Sequence, residues 1–235
     1  SGRNVMERVR RLSAISESPH IYIYTYGTQF DNYMMPFNVL EYRQDYYQFF
    51  KKEGAVAFYE QAQYNTPAAA DWGPLKSYIS AKLMWNVNED VEALIRDFFA
   101  NYFGVASDVM YDMYNEYRVY MRYLAEEKGL TGGVLEGNTQ KSTEYWPYDR
   151  VQRFLGCIDE AYARIEPLQY TDRETYDILY DHILKESLSY RYIKLELYAN
   201  YMEYSLYTSE KEQFINDCIR LHVMRISEHG EITGY

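Results

Sequence analysis

Only two stretches of this 235-residue chain carry a strand pattern, and both lie within its first 61 residues. His20–Tyr26, HIYIYTY, is bounded by Pro19 and Gly27; Ala55–Gln61, AVAFYEQ, follows a stop at Gly54. Both are short, rich in β-branched and aromatic residues, and apolar on both faces, which predicts buried parallel strands rather than half-solvated ones. Helical patterns flank them. Val5, Val9 and Leu12 share a face over residues 4–16, a run that Pro19 ends, and Leu40, Tyr47 and Phe50 turn inward over 39–52. Helix, strand, helix, strand, helix is the order of parallel β/α units. Two such strands cannot form a stable sheet alone, because each leaves an apolar face and an unpaired edge. Either further strands come from an upstream segment, or the rest of the chain covers these two. The first is favoured, and residues 1–72 then read as the last two units of an eight-fold TIM-like barrel.

From residue 73 onward the period changes to that of helices. Leu75, Tyr78, Ile79 and Leu83 predict one helix behind Pro74, whose missing N–H suits a first turn. Asn86, Asn88 and Asp90 make a corner, with Asn88 as the expected cap of a second helix built on Val91, Leu94, Ile95, Phe98, Phe99 and Tyr102 and closed at Gly104. Further helices are predicted over about 107–128, 149–165, 171–204 and 209–226, with residues 131–147 as a polar connection suited to a mobile loop. The fold class is therefore mainly α: a short β/α segment, 1–72, followed by an antiparallel helical bundle, 73–235.

The net charge of −11 argues against nucleic acid or anionic membrane as a partner, since phosphate binding needs a basic face. No apolar run approaches the roughly 18 residues of a membrane span. Cys157 and Cys218 fall on separate helical patterns and read as buried free thiols. The four histidines show no paired ligand spacing, so neither a metal nor another cofactor is expected. Tyrosine is the outlier, 29 residues against 10 Phe. Its apolar face and polar tip suit a carbohydrate surface, and equally a helical core whose rim phenols reach water.

The strand IYIYTYGT, Pro36 after the loop, the helix leading into GAVAFYEQA, and above all LKSYISAKLMWNVNEDVEALIRDFFANYFG resemble the bacterial domain-of-unknown-function family 4838. The resemblance is close over about residues 5–125. It implies a relative of glycoside hydrolases, with a TIM barrel that begins far upstream and a helical C-terminal region. It further implies a secreted, periplasmic or cell-surface bacterial protein that acts on or binds complex polysaccharide. The main catalytic acids would lie upstream, and this portion alone would be inactive.

Glycoside hydrolysis needs two carboxyl groups flanking the scissile bond, and barrels carry such groups at the C-terminal ends of their strands. Glu60 at the end of the second strand, Tyr26 at the end of the first, Asp31 on the loop that follows and Trp72 at the entry to the helical region are the substrate-binding candidates. Glu60 is weighed against an ion pair with an Arg, and Trp72 against packing beneath the helices. Asp71 reads as a helix cap, Trp85 as core and Trp146 as a loop anchor. No Ser-His-Asp order or phosphate-binding loop is present. A non-catalytic sugar-binding module and a structural helical interaction domain are the alternatives.

Overall fold

The computed structural model describes residues 2–15, 17, 20–63, 70–130 and 133–235, the side chains of residues 2–4 excepted. Pro19, and Thr131 and Gly132 of the polar connection, lie outside them. Helix α1, Gly2–Ile15, leads to strand β1, Ile21–Tyr26; α2, Arg43–Lys52, connects it to β2, Ala55–Gln61. The two strands pair in parallel, with an irregularity between Ile21 and Tyr22, and form a two-stranded sheet. No further strand occurs among the described residues, which are mainly helical.

The strands are not buried on both faces. Ile23 packs with Val9 of α1 and Phe50 of α2 on one side, while Tyr22, Tyr24, Val56 and Tyr59 are exposed on the other. The pattern that reads as a doubly covered strand has, among the described residues, a helical layer on one face alone. The α1 stripe is left similarly open: Val9 is buried, but Val5 and Leu12 are exposed.

After β2 come α3 (Gly73–Trp85), α4 (Val91–Phe103), α5 (Ser107–Glu127), the single turn α6 (Gly137–Gln140), α7 (Tyr148–Ile165), the short α8 (Leu168–Thr171), α9 (Arg173–Tyr198) and α10 (Tyr204–Arg220). Pro74 sits in the first turn of α3, as its geometry requires. The cap of α4 is Asp90 rather than Asn88: the Ala93 N–H donates to its carboxylate at 3.0 Å, while Asn88 gives its own N–H to Asn86. Asp172 caps α9 in the same way through Thr175. Gly104 takes a positive φ of 51° at the end of α4, where a side chain would be strained. Helix α10 begins and ends about five residues before the predicted span, because α9 stops at Tyr198 and a 3₁₀ turn, Ala199–Tyr201, resets the chain.

The main core lies among α3, α4, α5, α7 and α9, with Leu75, Ile79, Ile95, Phe99, Phe103, Met110, Phe154, Ile183 and Leu188 nearly or wholly inaccessible. Trp146 is buried at the foot of α7, while Trp85, read as core, is 92% exposed at the last turn of α3. Cys157 and Cys218 are buried free thiols. The β/α segment is attached to the helices by the loop after β1. Phe30, Tyr33, Met34 and Met35 are buried, Phe30 N–H donates to Val134 O, and Tyr33 N–H to Ile226 O. From residue 133 the polar connection is thus pinned at its α6 end.

Candidate functional site

The parallel register sorts the strand residues into two sets. Ile23, Phe58, Thr25 and Glu60 lie on one face; Tyr22, Ala57, Tyr24, Tyr59, Tyr26 and Gln61 lie on the other. The second face is an aromatic surface. Tyr24 packs on Tyr59 at 4.8 Å between ring centroids, Tyr26 meets Tyr24 edge-on at 5.4 Å, and Phe30 meets Tyr26 at 5.4 Å. The Tyr24 hydroxyl donates to the Gln61 side chain. Tyr26, 46% exposed, stands at the C-terminal edge of this surface.

Glu60 points the other way, toward α2 and α3. Its carboxylate pairs with Arg43 and accepts from Tyr47 Oη and Ser80 Oγ, both at 3.0 Å. Arg43 is buried, and burial lowers its pKa. Its Nε and second terminal nitrogen have no hydrogen-bond partner, so this charge depends heavily on Glu60. Gly27 is needed beside them: a Cβ there would stand 2.8 Å from the Glu60 carboxylate.

A second ionic group faces the first across a narrow cleft lined by Gly27, Thr28, Glu60, Asp71 and Lys76. Asp71 is not a helix cap. Its carboxylate accepts from Phe37 N–H at 2.7 Å, from Tyr117 Oη at 2.8 Å and from Lys76 Nζ. Ala70, Asp71 and Trp72 all have positive φ, 65°, 47° and 57°. Such backbone costs about 1–3 kcal/mol per residue and persists only where its surroundings fix it. Here α9 fixes it: the three N–H groups donate in turn to Lys185 O (3.2 Å), Ser189 Oγ (3.0 Å) and Glu186 Oε2 (2.9 Å). Glu186 is 2% exposed, and burial pushes its carboxyl up to about 8. Lys76 is pulled down, by burial first, against the raising effect of Asp71.

The room between these groups is about 20 Å³, enough for roughly one water and too little for a sugar ring. Each oxygen of Glu60 and Asp71 already has a protein partner, so neither is free to work as an acid or base on a ligand there. The remaining candidates are placed as follows. Trp72 is buried, its ring 5.7 Å from Phe99 and 5.2 Å from Tyr114. Asp31 accepts from the N–H groups of Gly137 (2.9 Å) and Asn138 (3.1 Å), tying the loop to α6. Glu60 and Tyr26, the two candidates at the strand ends, are on opposite faces of the sheet; Glu60 shares its cleft with Gly27 and Thr28.

Arg43, Lys76 and Glu186 went unnoticed, although the sequence carries a signal for each. Arg43 continues the stripe Leu40, Tyr47, Phe50. Glu186 lies between Ile183 and Tyr190 on the apolar face of α9, and Lys76 beside Leu75 and Ile79 on α3. A charge at a core position of an amphipathic helix implies a buried partner.

The profile of the family described as Domain of unknown function (DUF4838) matches residues 3–115. None of the curated proteins and none of the solved structures compared with the chain matches it significantly. No helix of the described residues is long and apolar enough to cross a membrane, and no group of three His, Cys, Asp or Glu among them is placed to hold a metal.

Proposed function

Residues 3–115 belong to the DUF4838 family, and from that premise we propose that the chain is the C-terminal portion of a glycoside-hydrolase-like protein that acts on or binds complex polysaccharide. In this reading β1 and β2 are the last strands of a TIM-like barrel whose earlier units and main catalytic acids lie upstream. The later helices are an antiparallel bundle braced against its outside, and the protein works outside the cytoplasm of a bacterium.

The observation that carries the reading is the unequal covering of the sheet. Its Ile23–Phe58 face is packed under α1 and α2, as the outer face of a barrel is under its helices. Its other face leaves Tyr22, Tyr24, Tyr26 and Tyr59 exposed, with no covering layer among the described residues. Surrounding strands would close the lower tyrosines into an interior layer and leave Tyr26 at the mouth, where a phenol ring can stack on a sugar and its hydroxyl can bond one. Of the four candidate contacts, Tyr26 is then the direct one. Glu60, Asp31 and Trp72 hold the strand end, the loop and the backbone around it.

The test is binding of soluble polysaccharide and its oligosaccharides to the protein extended upstream through the barrel. Tyr26→Ala is expected to weaken binding by about tenfold, the loss of one stacked ring at roughly 1–1.5 kcal/mol, with Tm nearly unchanged. Unaltered glycan binding in a variant of normal stability would remove Tyr26 from the site. Absence of glycan binding by the extended protein would remove the reading itself and favour a structural interaction domain.

A further inference from the structure

Where α9 ends, a hollow of about 410 Å³ opens on the surface. That volume is within the usual range of about 300–1,000 Å³ for small-molecule sites. Its lining is Tyr148, the first residue of α7, Tyr198, the last of α9, and Tyr201 and Met202 of the turn that leads to α10. The rings stand at an angle to one another. Tyr148 meets Tyr198 edge-on, with 5.1 Å between centroids and 70° between planes, and Tyr201 lies 6.1 Å from Tyr198 at 50°. Tyr198 is the fixed wall: it is buried, and its hydroxyl donates to Trp146 O at 2.7 Å. Tyr148 and Tyr201 are exposed, Tyr201 to 84%. A single large apolar ring in solvent needs no explanation, whereas rings gathered around one hollow mark a binding surface.

What the hollow can hold follows from its lining and its rim. Rings and a thioether offer π-electron density and polarisable surface, and among the described residues no amide, carboxylate or cationic side chain lines it. The one phenol held in place has its hydroxyl committed to Trp146 O, so a ligand that needs ordered hydrogen bonds gains little here. The rim is negative. Asp149 follows Tyr148 and Glu203 follows Met202, and both are exposed. The Tyr198 phenol is raised above its ordinary range, by burial first and by the charge of Asp149 second, so the field of that carboxylate reaches the rings. The basic residues nearest along the chain are already paired, Arg150 with Glu116 and Lys194 with Glu210. The chain as a whole carries −11, which draws cations in and keeps anions away. Aromatic faces beneath a negative rim suit a cation with an apolar surface, held within about 6 Å of the ring centroids by their quadrupoles.

We propose that the hollow formed by Tyr148, Tyr198, Tyr201 and Met202 is a binding site for a small soluble quaternary ammonium compound of the choline type. A trimethylammonium group has no N–H to satisfy, so it needs ring faces rather than hydrogen-bond acceptors. Its methyls pack on the rings, and its charge is met by the ring faces and by Asp149. A phosphocholine lipid headgroup would bring its phosphate against Asp149 and Glu203, which favours the soluble cation. The site shares no residue with the sheet face, and it rests on neither the barrel nor the polysaccharide reading.

The experiment follows the Met202 methyl resonance while the protein is titrated with choline. Two comparisons separate charge from shape: dimethylbutanol, the analogue in which a quaternary carbon replaces the nitrogen, and ethanolamine, which keeps the charge as a hydrated ammonium. Choline should shift the resonance saturably, with each comparison at least about tenfold weaker. Tyr201→Ala should weaken choline binding by about fivefold to tenfold, with Tm nearly unchanged because the side chain is exposed. Tyr201→Phe keeps the ring and should bind within about twofold of the parent. Asp149→Asn should weaken binding by about threefold at low salt and by less at high salt, where the rim charge is screened. Tyr26→Ala should leave this binding unchanged. No saturable shift with choline overturns the proposal, as does choline binding of normal strength in the Tyr201→Ala variant. Equal affinity for choline and its carbon analogue would make the hollow merely apolar and overturn it too. Co-sedimentation of the protein with phosphatidylcholine vesicles would assign the group to a lipid and overturn the soluble ligand.

Discussion

The sheet region and the helical core handle apolar surface and charge in opposite ways. Around β1 and β2 the charges are enclosed, with Arg43 and Glu60 under the sheet, while large apolar side chains stand in solvent: Tyr22 is 78% exposed and Tyr59 58%. In the helices the apolar residues are enclosed, with Leu75, Ile79, Leu83 and Ile193 at 0%, and the few charges among them are paired or neutralised. The difference teaches that helices cover the sheet on its Ile23–Phe58 face, whereas the later helices enclose a core among themselves. Between them lies the junction of Glu60–Arg43 and Asp71–Lys76, two ion pairs separated by room for about one water.

The comparison is broken most severely at that junction. Asp71→Asn leaves the Lys76 ammonium buried without its countercharge and weakens the bonds from Phe37 N–H and Tyr117 Oη. Removing one member of such a pair costs about 3–5 kcal/mol, so thermal unfolding should shift down by roughly ten degrees or more at this chain length. A second change, Lys76→Met, should recover part of the loss. On the sheet side, Glu60→Gln should cost less, about 1–3 kcal/mol, because the amide still accepts from Tyr47 or Ser80 while Arg43 loses its partner. A calorimetric series of these variants checks the order; a Glu60 variant less stable than the Asp71 one would reverse it.

Much of this fold was legible, and what was missed has a common cause. Strand limits, the corner at Asn86–Asp90, the parallel pairing and the helical remainder follow from periodicity and punctuation, which are local. The role of Asp71 is not local. Its partners come from positions 37, 76 and 117, and its backbone is fixed by residues 185–189 of α9. Placed before a helix, an Asp reads as a cap, and nothing nearby in the chain contradicts that. Trp85 was misread because the stripe of α3 runs through Leu75, Ile79 and Leu83, and residue 85 at the last turn has already rotated away from it. For the candidate site, strand position located Glu60 and Tyr26 correctly along the chain, but their separation onto opposite faces depends on the irregularity at Ile21/Tyr22 and on which face the helices cover.

A smaller effect concerns pH. The Glu186 carboxyl is raised to about 8 in the folded protein, by burial above all. The folded state therefore holds that proton more tightly than the unfolded chain does. Its contribution is fully present below the unfolded value near 4.5 and is lost as pH rises through about 8. The Tm should accordingly fall between pH 5 and 8 through this group. Glu186→Gln keeps an acceptor for Trp72 N–H and has no proton to lose, so the curve of Tm against pH should flatten by a few degrees over that interval, about 2–4 °C per kcal/mol. Parallel curves for the two proteins would mean that Glu186 ionises elsewhere in the range.

The smallest effect sharpens the comparison furthest. Tyr24 and Tyr59 pack on one another on the open face of the sheet, at 56% and 58% exposure. Replacing both with Ser removes apolar surface that solvent already reaches, and exposed substitutions of this kind usually change stability by within about 0.5 kcal/mol. In this chain the double variant should melt within a degree or two of the parent. In the protein extended upstream the same pair, if it is closed into a barrel interior, should cost at least about 3 kcal/mol, the usual scale for emptying a buried aromatic position. The difference between the two measurements reports whether other strands cover the face, independently of any sugar or activity. Equal, near-zero effects in both proteins would leave the tyrosine face open to solvent in the whole molecule, and the barrel reading would have to be given up.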